Sequence, residues 1–376
     1  TFTNKAAAEL RQRLSDSLGD TALDVTASTF HSLCMRILRR EGEILGYGKA
    51  FTVYDTDDQK RVMKEIIKDF GIDEKFVRIK TIMNKISGYK DKLISPAEAE
   101  KHANNTLEGI IVKCYGEYQR RLKEANAMDF DDLIYNAVYL FKRFPDVLDH
   151  YQNRYRYIMV DEYQDTSTAQ FELIDLLSKK YGNICVVGDD DQSIYRFRLA
   201  RPELFMEKYD TYSLTDAKMQ RIDLHKNFRS RNEVLDFSND IFYRIMKRNL
   251  GNVEYDADAA LYPGASYQEE TDMFTPEILL VDGDDELLDD AAADDKKLLE
   301  ARMIAKRIKE LMGTQKVTDK ATGELRPVQY SDMVILLRSL SGYADRFAAV
   351  LNDAGIPAHT VSATGYFSTV EVQTVL

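Results

Sequence analysis

The chain of 376 residues contains no apolar run near the roughly 18 residues that cross a bilayer, which argues against an embedded helix and a membrane partner. It has three cysteines, Cys34, Cys114 and Cys185, far apart and in no CxxC spacing. Neither a zinc site nor a disulfide framework follows from them, and they read as reduced core thiols of a cytoplasmic protein. No signal-peptide pattern opens the chain: Thr1-Phe2-Thr3-Asn4-Lys5 is polar and leads into a helix. There is no initial methionine, and Glu371 to Leu376 stops within a helical pattern, so both ends read as cut from a longer protein. Internal repeats are absent. Positive charge is in deficit, with 51 Lys and Arg against 63 Asp and Glu, a net charge of −12 that taken alone argues against nucleic acid. The deficit is local, however. Residues 282–295 hold eight carboxylates and no basic residue, as a solvated loop would, whereas Arg196, Arg198 and Arg201 cluster elsewhere. A basic groove on an acidic protein stays open.

What is present is organised around Tyr157 to Ser167. Tyr157-Ile-Met-Val160 is a short apolar run, expected as a buried strand, and Asp161-Glu162 follows it directly. In an open parallel sheet, ligands bind beyond the carboxyl ends of the strands. An apolar strand delivering Asp-Glu to that edge is the Walker B arrangement, with Asp161 holding Mg²⁺ and Glu162 orienting and deprotonating the attacking water. Solvated acids at a strand end are the plainer alternative for this stretch by itself. A second buried strand is expected at Asn183 to Val187, after a helix from Ala169 to Lys179, and the alternation implies parallel α/β.

Along the rest of the chain, a helix carrying Ala7, Leu10, Leu14 and Leu18 on one face opens the sequence, and Val25 to Ser28 reads as a short strand. Residues 51–126 are charged and helical in pattern, with helix starts at Asp55 and at Ser95-Pro96 and no evident strand, so they read as an all-helical insertion. Another helix begins within Met128 to Leu133. Strands are expected at Arg221 to Leu224, Glu277 to Val281, Met333 to Leu337 and from Ile356. Helices are expected at about 232–248, 300–312 and 343–354, the last ended by Gly355, with a loop from Gly251 to Pro276.

Four more stretches bear on chemistry. Gly188-Asp-Asp-Asp-Gln192 ends the second strand and brings an amide, Gln192, to the same edge; a carboxamide can donate to a γ-phosphate oxygen and accept from water. Ile194-Tyr-Arg-Phe-Arg198 alternates rings with arginines, which suits a single nucleic-acid strand through stacking and phosphate contacts. Asn227-Phe-Arg-Ser230 places Arg229 as a candidate arginine finger and Phe228 as a ring for an adenine face. Thr1-Phe-Thr-Asn4 and Thr29-Phe-His-Ser32 set hydroxyls and rings at helix starts, where phosphates bind without sequence readout. Each of these has an ordinary structural reading as a turn, an edge or a surface residue when taken singly.

Together they resemble the UvrD/PcrA/Rep family of superfamily 1 DNA helicases, in the blocks TFTNKAAAEL, TFHSLCMRILRR, VDEYQDTS, VVGDDDQSIYRFR, LHKNFRS and GYFSTVEVQ, in that order. The resemblance implies RecA-like, parallel-sheet P-loop NTPase domains. These are 1A (residues 1–50 and 127–223) and 2A (224–376), with an all-helical insertion, 1B (51–126). It implies ATP and Mg²⁺ as cofactors and 3′→5′ movement on single-stranded DNA with unwinding of duplex. Asp161 and Glu162 serve metal and water, Gln192 and Arg229 the γ-phosphate, and Phe228 the adenine. Thr1, Phe2, Thr3, Asn4, Thr29, Phe30, His31, Tyr195, Phe197 and Arg198 serve DNA. From Leu199 onward the likeness is closer to AddA, a helicase–nuclease subunit, which implies an AddB-like partner. Two other classes remain open: a catalytically inactive single-stranded-DNA-binding scaffold, and a metal nuclease using Asp161, Glu162 and Asp165. The sequence holds no GxxxxGK[ST] loop, which the family carries upstream of the position of Thr1, and no motif V or VI. The chain alone is therefore expected to hydrolyse little or no ATP. A steady-state phosphate-release assay checks this, and robust turnover contradicts it.

Overall fold

The computed structural model describes residues 1–73, 77–193, 199–247, 249, 254–267, 274–281, 296–319, 322–340 and 342–360. They form two compact units, Thr1–Asp223 and Leu224–Leu376, each described by itself.

In the first unit, α1 (Asn4–Leu18) and α2 (Phe30–Glu41) both start on a threonine cap: Thr3 Oγ1 accepts from the Ala6 amide and Thr29 Oγ1 from the Ser32 amide. The apolar stripe of α1 is mostly uncovered. Ala7 is buried, but Leu10 and Leu18 are 36% and 47% exposed. Two short parallel strands follow, β1 (Thr52–Tyr54) and β2 (Ala127–Asp129), paired Thr52 to Ala127 through Tyr54 to Asp129. Parallel neighbours need a long crossover. Here it is four helices, α3 (Thr56–Asp69), α4 (Ile79–Asp91), α5 (Pro96–Lys101) and α6 (Thr106–Glu124). Capping boxes at Asp55/Asp58 and Ser95/Glu98 start α3 and α5, the latter with Pro96 in its first turn. Reading residues 51–126 as wholly helical thus overlooked β1, a three-residue strand beside a long helical pattern.

The helices of this crossover enclose a core of their own, including Met63, Ile66, Ile82, Ile111, Cys114 and Leu122. Successive side chains of β2 point to opposite faces: Ala127 enters that core, while Met128 enters a second one with Cys34, Leu38, Leu133, Phe141 and Leu173. The chain continues through α7 (Phe130–Arg143), α8 (Pro145–Arg154), β3 (Ile158–Val160), α9 (Thr168–Ser178) and β4 (Ile184–Val186), and later α10 (Glu203–Thr211). β3 and β4 are parallel, Ile158 opposite Ile184 and Val160 opposite Val186.

The expected buried strand at 157–160 is covered on one face only. Val160 is 4% exposed, but Tyr157 and Met159 are 77% and 83% exposed. Cys185, opposite Met159, is exposed too, so only Cys34 and Cys114 are core thiols. Val25 to Ser28 does not pair as a strand; Thr26 and Ser28 instead line, with Tyr157, Ile158 and Met159, a cavity of about 120 Å³ beside β3.

The second unit holds β5 (Lys226–Asn227), α11 (Asn232–Ile245), β6 (Tyr262–Pro263), α12 (Lys296–Thr314), β7 (Lys316–Thr318), β8 (Leu325–Pro327) and α13 (Ala344–Asp353). β5 and β6 are parallel, β7 and β8 antiparallel. β6 falls within the segment read as loop. Gly355, at φ 78°, ends the last helix as expected, and Ala305, Ile308, Leu351 and Ile356 form a small core. Arg221 to Leu224, Glu277 to Val281, Met333 to Leu337 and the described residues from Ile356, which end at 360, are not paired as strands. Leu224, Leu280 and Leu336 are 83%, 86% and 87% exposed. An apolar run supplies strand propensity, but a strand exists only as one side of a ladder, and among the described residues the ladders are four two-stranded pairs.

One polar cluster ties the first unit together. Lys90, near the end of α4 and 1% exposed, donates to Asp129 Oδ2 at 2.7 Å and pairs with Asp132 Oδ1 at 2.8 Å. Tyr118 hydroxyl and Gln119 Nε2 of α6 donate to Asp129 and Asp132, each at 3.0 Å. The two acids also form the capping box of α7. Burial, then the neighbouring Asp129 charge, push Asp132 from 3.8 up to about 7. Burial opposes the charge of Asp129 as well, but Lys90, the Asp132 amide and Tyr118 outweigh it and hold that carboxyl low.

The folded state therefore keeps a proton on Asp132 where the unfolded chain has lost it. That contribution is full below the unfolded value and lost as pH rises through the folded one. Between about pH 5 and 7 the native protein should lose stability with rising pH, by at most about 1.4 kcal/mol per pH unit from this group. Asp132→Asn should flatten that slope in urea melts; an unchanged slope contradicts the assignment.

Candidate functional site

The carboxyl ends of β3 and β4 lie side by side, and both expected loops leave from there. The backbone joins them first: the Val187 amide donates to Val160 O at 2.8 Å and the Tyr163 amide to Val187 O at 2.9 Å. Asp161 is exposed and accepts from the Glu162 amide at 3.1 Å. Glu162 itself sits in the left-handed region at φ 55°, a conformation that costs a non-glycine residue about 1–3 kcal/mol. The next turn is buried. Tyr163 packs edge-on to Phe205, ring centroids 6.3 Å apart, and Gln164 is 3% exposed.

Gln164 was not singled out in the sequence. Its Oε1 accepts the Asp189 amide at 3.1 Å, across to the second loop. Asp189 in turn accepts from Gln192 Nε2 at 2.6 Å through Oδ2. A chain Gln164–Asp189–Gln192 thus links the acid pair's loop to the expected phosphate-sensing amide. The link is tight at Gly188, where a Cβ would lie 2.8 Å from Gln164 Oε1 and 3.0 Å from the Phe205 ring. Within this second loop, burial, then Asp190 and Asp189, push Asp191 up to about 7. The signal that could have revealed Gln164 is its place inside the turn after an acid pair, where a buried amide has to find a partner.

The helix starts converge on the same edge. The Thr1 nitrogen donates to Ser28 O at 3.4 Å, and Thr1 lies near Asp161 and Glu162. Thr1, Thr29 and Phe30 line the cavity that β3 also lines. Phe2 and Phe30 pack at 5.3 Å between centroids, and His31, its pKa lowered by burial, meets Phe130 edge-on at 5.9 Å. Phe130, at the start of α7, is 49% exposed and was not singled out in the sequence. Asn4 is exposed, whereas the Thr3 and Thr29 hydroxyls serve as caps. Tyr195, Phe197 and Arg198, and the block from Gly365 to Gln373, lie outside the described residues.

In the second unit, Asn227 Oδ1 accepts from the amides of Arg229 and Ser230 at 2.9 and 2.8 Å, a turn that leaves Arg229 exposed. Tyr267 hydroxyl donates to Arg229 O at 2.7 Å. Phe228 is 70% exposed and lies over Gly264, where a Cβ would come within 2.8 Å of its ring.

As for a metal, no group of three or more His, Cys, Asp or Glu is so placed among the described residues. Mg²⁺ held through one or two carboxylates plus substrate phosphates needs none, and Asp161 with Glu162 fits that mode. The nuclease alternative, which requires a ligand set supplied by the protein, finds no support there.

An acid pair and an amide-bearing turn thus stand at the carboxyl edge of parallel strands, the edge at which open α/β sheets bind their ligands. Residues 1–213 match the UvrD/REP helicase N-terminal domain and residues 222–376 the UvrD-like helicase C-terminal domain. The chain belongs to the UvrD/Rep helicase family, whose fold is RecA-like α/β. It is 42% identical over 241 residues to the ATP-dependent DNA helicase PcrA of Staphylococcus aureus and equally to that of Staphylococcus epidermidis. The matched region covers 64% of this chain and 32% of each relative, so the matched region spans about a third of their length. The likeness of the second half to AddA, and the AddB-like partner it implied, gain no support from these matches. Among the described residues no helix is long and apolar enough to cross a membrane.

Gly188→Ala should push Gln164 off the Asp189 amide and cost about 1–3 kcal/mol in urea unfolding. A loss below about 0.5 kcal/mol, the range of an ordinary surface change, contradicts the link.

Proposed function

We propose that this chain is the nucleotide- and DNA-engaging part of an ATP-dependent DNA helicase that moves 3′→5′ on single-stranded DNA. The observation that carries the reading is the convergence, on one edge of the first unit, of an acid pair, an amide-bearing turn and the aromatic starts of α1, α2 and α7. In this reading residues 1–50 and 127–223 are domain 1A, 51–126 domain 1B and 224–376 domain 2A.

Asp161 holds Mg²⁺ with the nucleotide phosphates, and the metal supplies charge neutralisation there when bound. Glu162, turned by its left-handed backbone, orients the attacking water and takes its proton. Gln192 contacts the terminal phosphate; its tie to Asp189 and Gln164 makes the two loops respond together. Phe228 stacks on adenine and Arg229 acts as the arginine finger, an effect of about 10³–10⁵ in rate in other phosphoryl-transfer proteins. Phe2, Phe30, His31 and Phe130 form a stacking row for bases, Tyr195, Phe197 and Arg198 serve DNA as the family resemblance implies, and Thr1, Thr3, Asn4 and Thr29 lie at helix N-termini suited to phosphates. None of these contacts reads a base edge, so binding is independent of sequence.

Binding of the chain to an oligo-dT strand should weaken with salt, with a log–log slope of about −0.7 per phosphate contacted. In a protein carrying this chain behind a phosphate-binding loop, Glu162→Gln should abolish ATP turnover and spare ATP binding. A salt-insensitive affinity contradicts the DNA surface. Turnover unchanged by Glu162→Gln contradicts the motor and leaves the scaffold.

A further inference from the structure

We propose that Lys90 is a positioning residue for the DNA face: by gripping the start of α7 it fixes Phe130 beside His31. The inference rests on the reading of Phe2, Phe30, His31 and Phe130 as a base-stacking row.

Three acids surround Phe130 in sequence, and all three are held on the side of the helical crossover. Asp129 and Asp132 pair with Lys90 at 2.7 and 2.8 Å. Asp131 is hydrogen-bonded to Ser87, one turn earlier on α4. Tyr118 and Gln119 of α6 complete the set, and the Tyr118 ring lies 5.1 Å from the Lys90 ammonium. Phe130 is the one residue of the four directed elsewhere, half exposed and edge-on to His31.

The arrangement also suits the two helix ends. A cation near the carboxyl terminus of α4 meets anions at the amino terminus of α7, and each charge complements its helix dipole. The following residue, Asp91, accepts from the Ala169 amide at 3.4 Å, in the first turn of α9. That helix begins directly after the loop of Asp161 and Glu162. The end of α4 therefore touches the first turns of two helices, one leading from the acid pair and one presenting Phe130. A buried ion triad is a weak source of net stability, since apolar or neutral replacements often match it. Its geometric consequence here is a fixed direction for a single exposed ring.

The test uses the 376-residue chain and a fluorescein-labelled oligo-dT strand carrying one 2-aminopurine. Lys90→Met alone leaves a buried acid pair without its cation, a change that unfolding would mask, so the informative variant is Lys90→Met/Asp129→Asn/Asp132→Asn. It removes the cation together with the two acids paired to it and keeps an asparagine cap. It should show a wild-type circular dichroism spectrum and a cooperative melt, bind the strand about tenfold more weakly, the loss expected for one base–aromatic stack, and lose the quenching of 2-aminopurine. Phe130→Ala should show the same loss. The two combined should show no more than either alone, which a general loosening of the fold would not produce. Equal binding by the triple variant and wild type overturns the inference, as do additive losses. A triple variant that does not fold moves the comparison to Tyr118→Phe, which should lower affinity only when Phe130 is present; an equal loss without Phe130 overturns the inference. If the wild-type chain does not bind oligo-dT at all, it is the DNA reading that fails.

Discussion

The hydrogen bond from the Asp189 amide to Gln164 Oε1 is the contact through which the candidate site exists as one object. β3 and β4 bring their carboxyl ends together by ordinary parallel pairing, but a two-stranded ladder of three residues says little about the loops that leave it. Gln164 settles their relation. It is buried, so its amide must be satisfied, and the partner within reach is the backbone of the second loop. Once that bond forms, Gly188 has no room for a side chain. Glu162 takes a left-handed conformation directly before the buried Tyr163 and Gln164, and Gln192 is tied back through Asp189. The strained acid and the tethered amide therefore sit on the two loops that this one bond joins.

The crossover of four helices plays the corresponding role on the other side of the unit. It has its own apolar core, so its position relative to α7 is not dictated by one continuous hydrophobic interior. Lys90 and the acids of α7 supply direction there, and β2 divides its side chains between the two cores. Apolar burial holds each part together, and polar contacts decide how the parts are aimed. The same division of labour recurs in the second unit, where Asn227 shapes the turn that exposes Arg229.

Much of this was legible in the residues and some was not. Helix starts were, because Thr3, Thr29, Asp55 and Ser95 announce caps through local chemistry. The acid pair at the end of β3 was legible for the same reason: an apolar run followed by charge is a local pattern. Pairing was not. Met333 to Leu337 looks like a buried strand in composition, yet Leu336 is 87% exposed, because a ladder requires a partner that propensity cannot name. β1 was hidden by its brevity. Lys90, Gln164 and Phe130 were hidden because their importance lies in contacts 39, 25 and 99 positions away in sequence, and nothing about a lysine in a charged helix distinguishes the buried one.

The most direct measurement of the central claim is amide hydrogen exchange at Asp189, resolved by NMR in the wild-type chain and in Gln164→Leu. The account predicts a protected Asp189 amide in the wild type. In Gln164→Leu that protection should be lost, together with protection through Gln192, while the ladder amides of Ile158, bonded to Asn183 O, and Val187, bonded to Val160 O, keep theirs. An Asp189 amide that exchanges freely in the wild type, or one whose protection survives in Gln164→Leu, would show that the two loops are not joined, and the site would not stand as described.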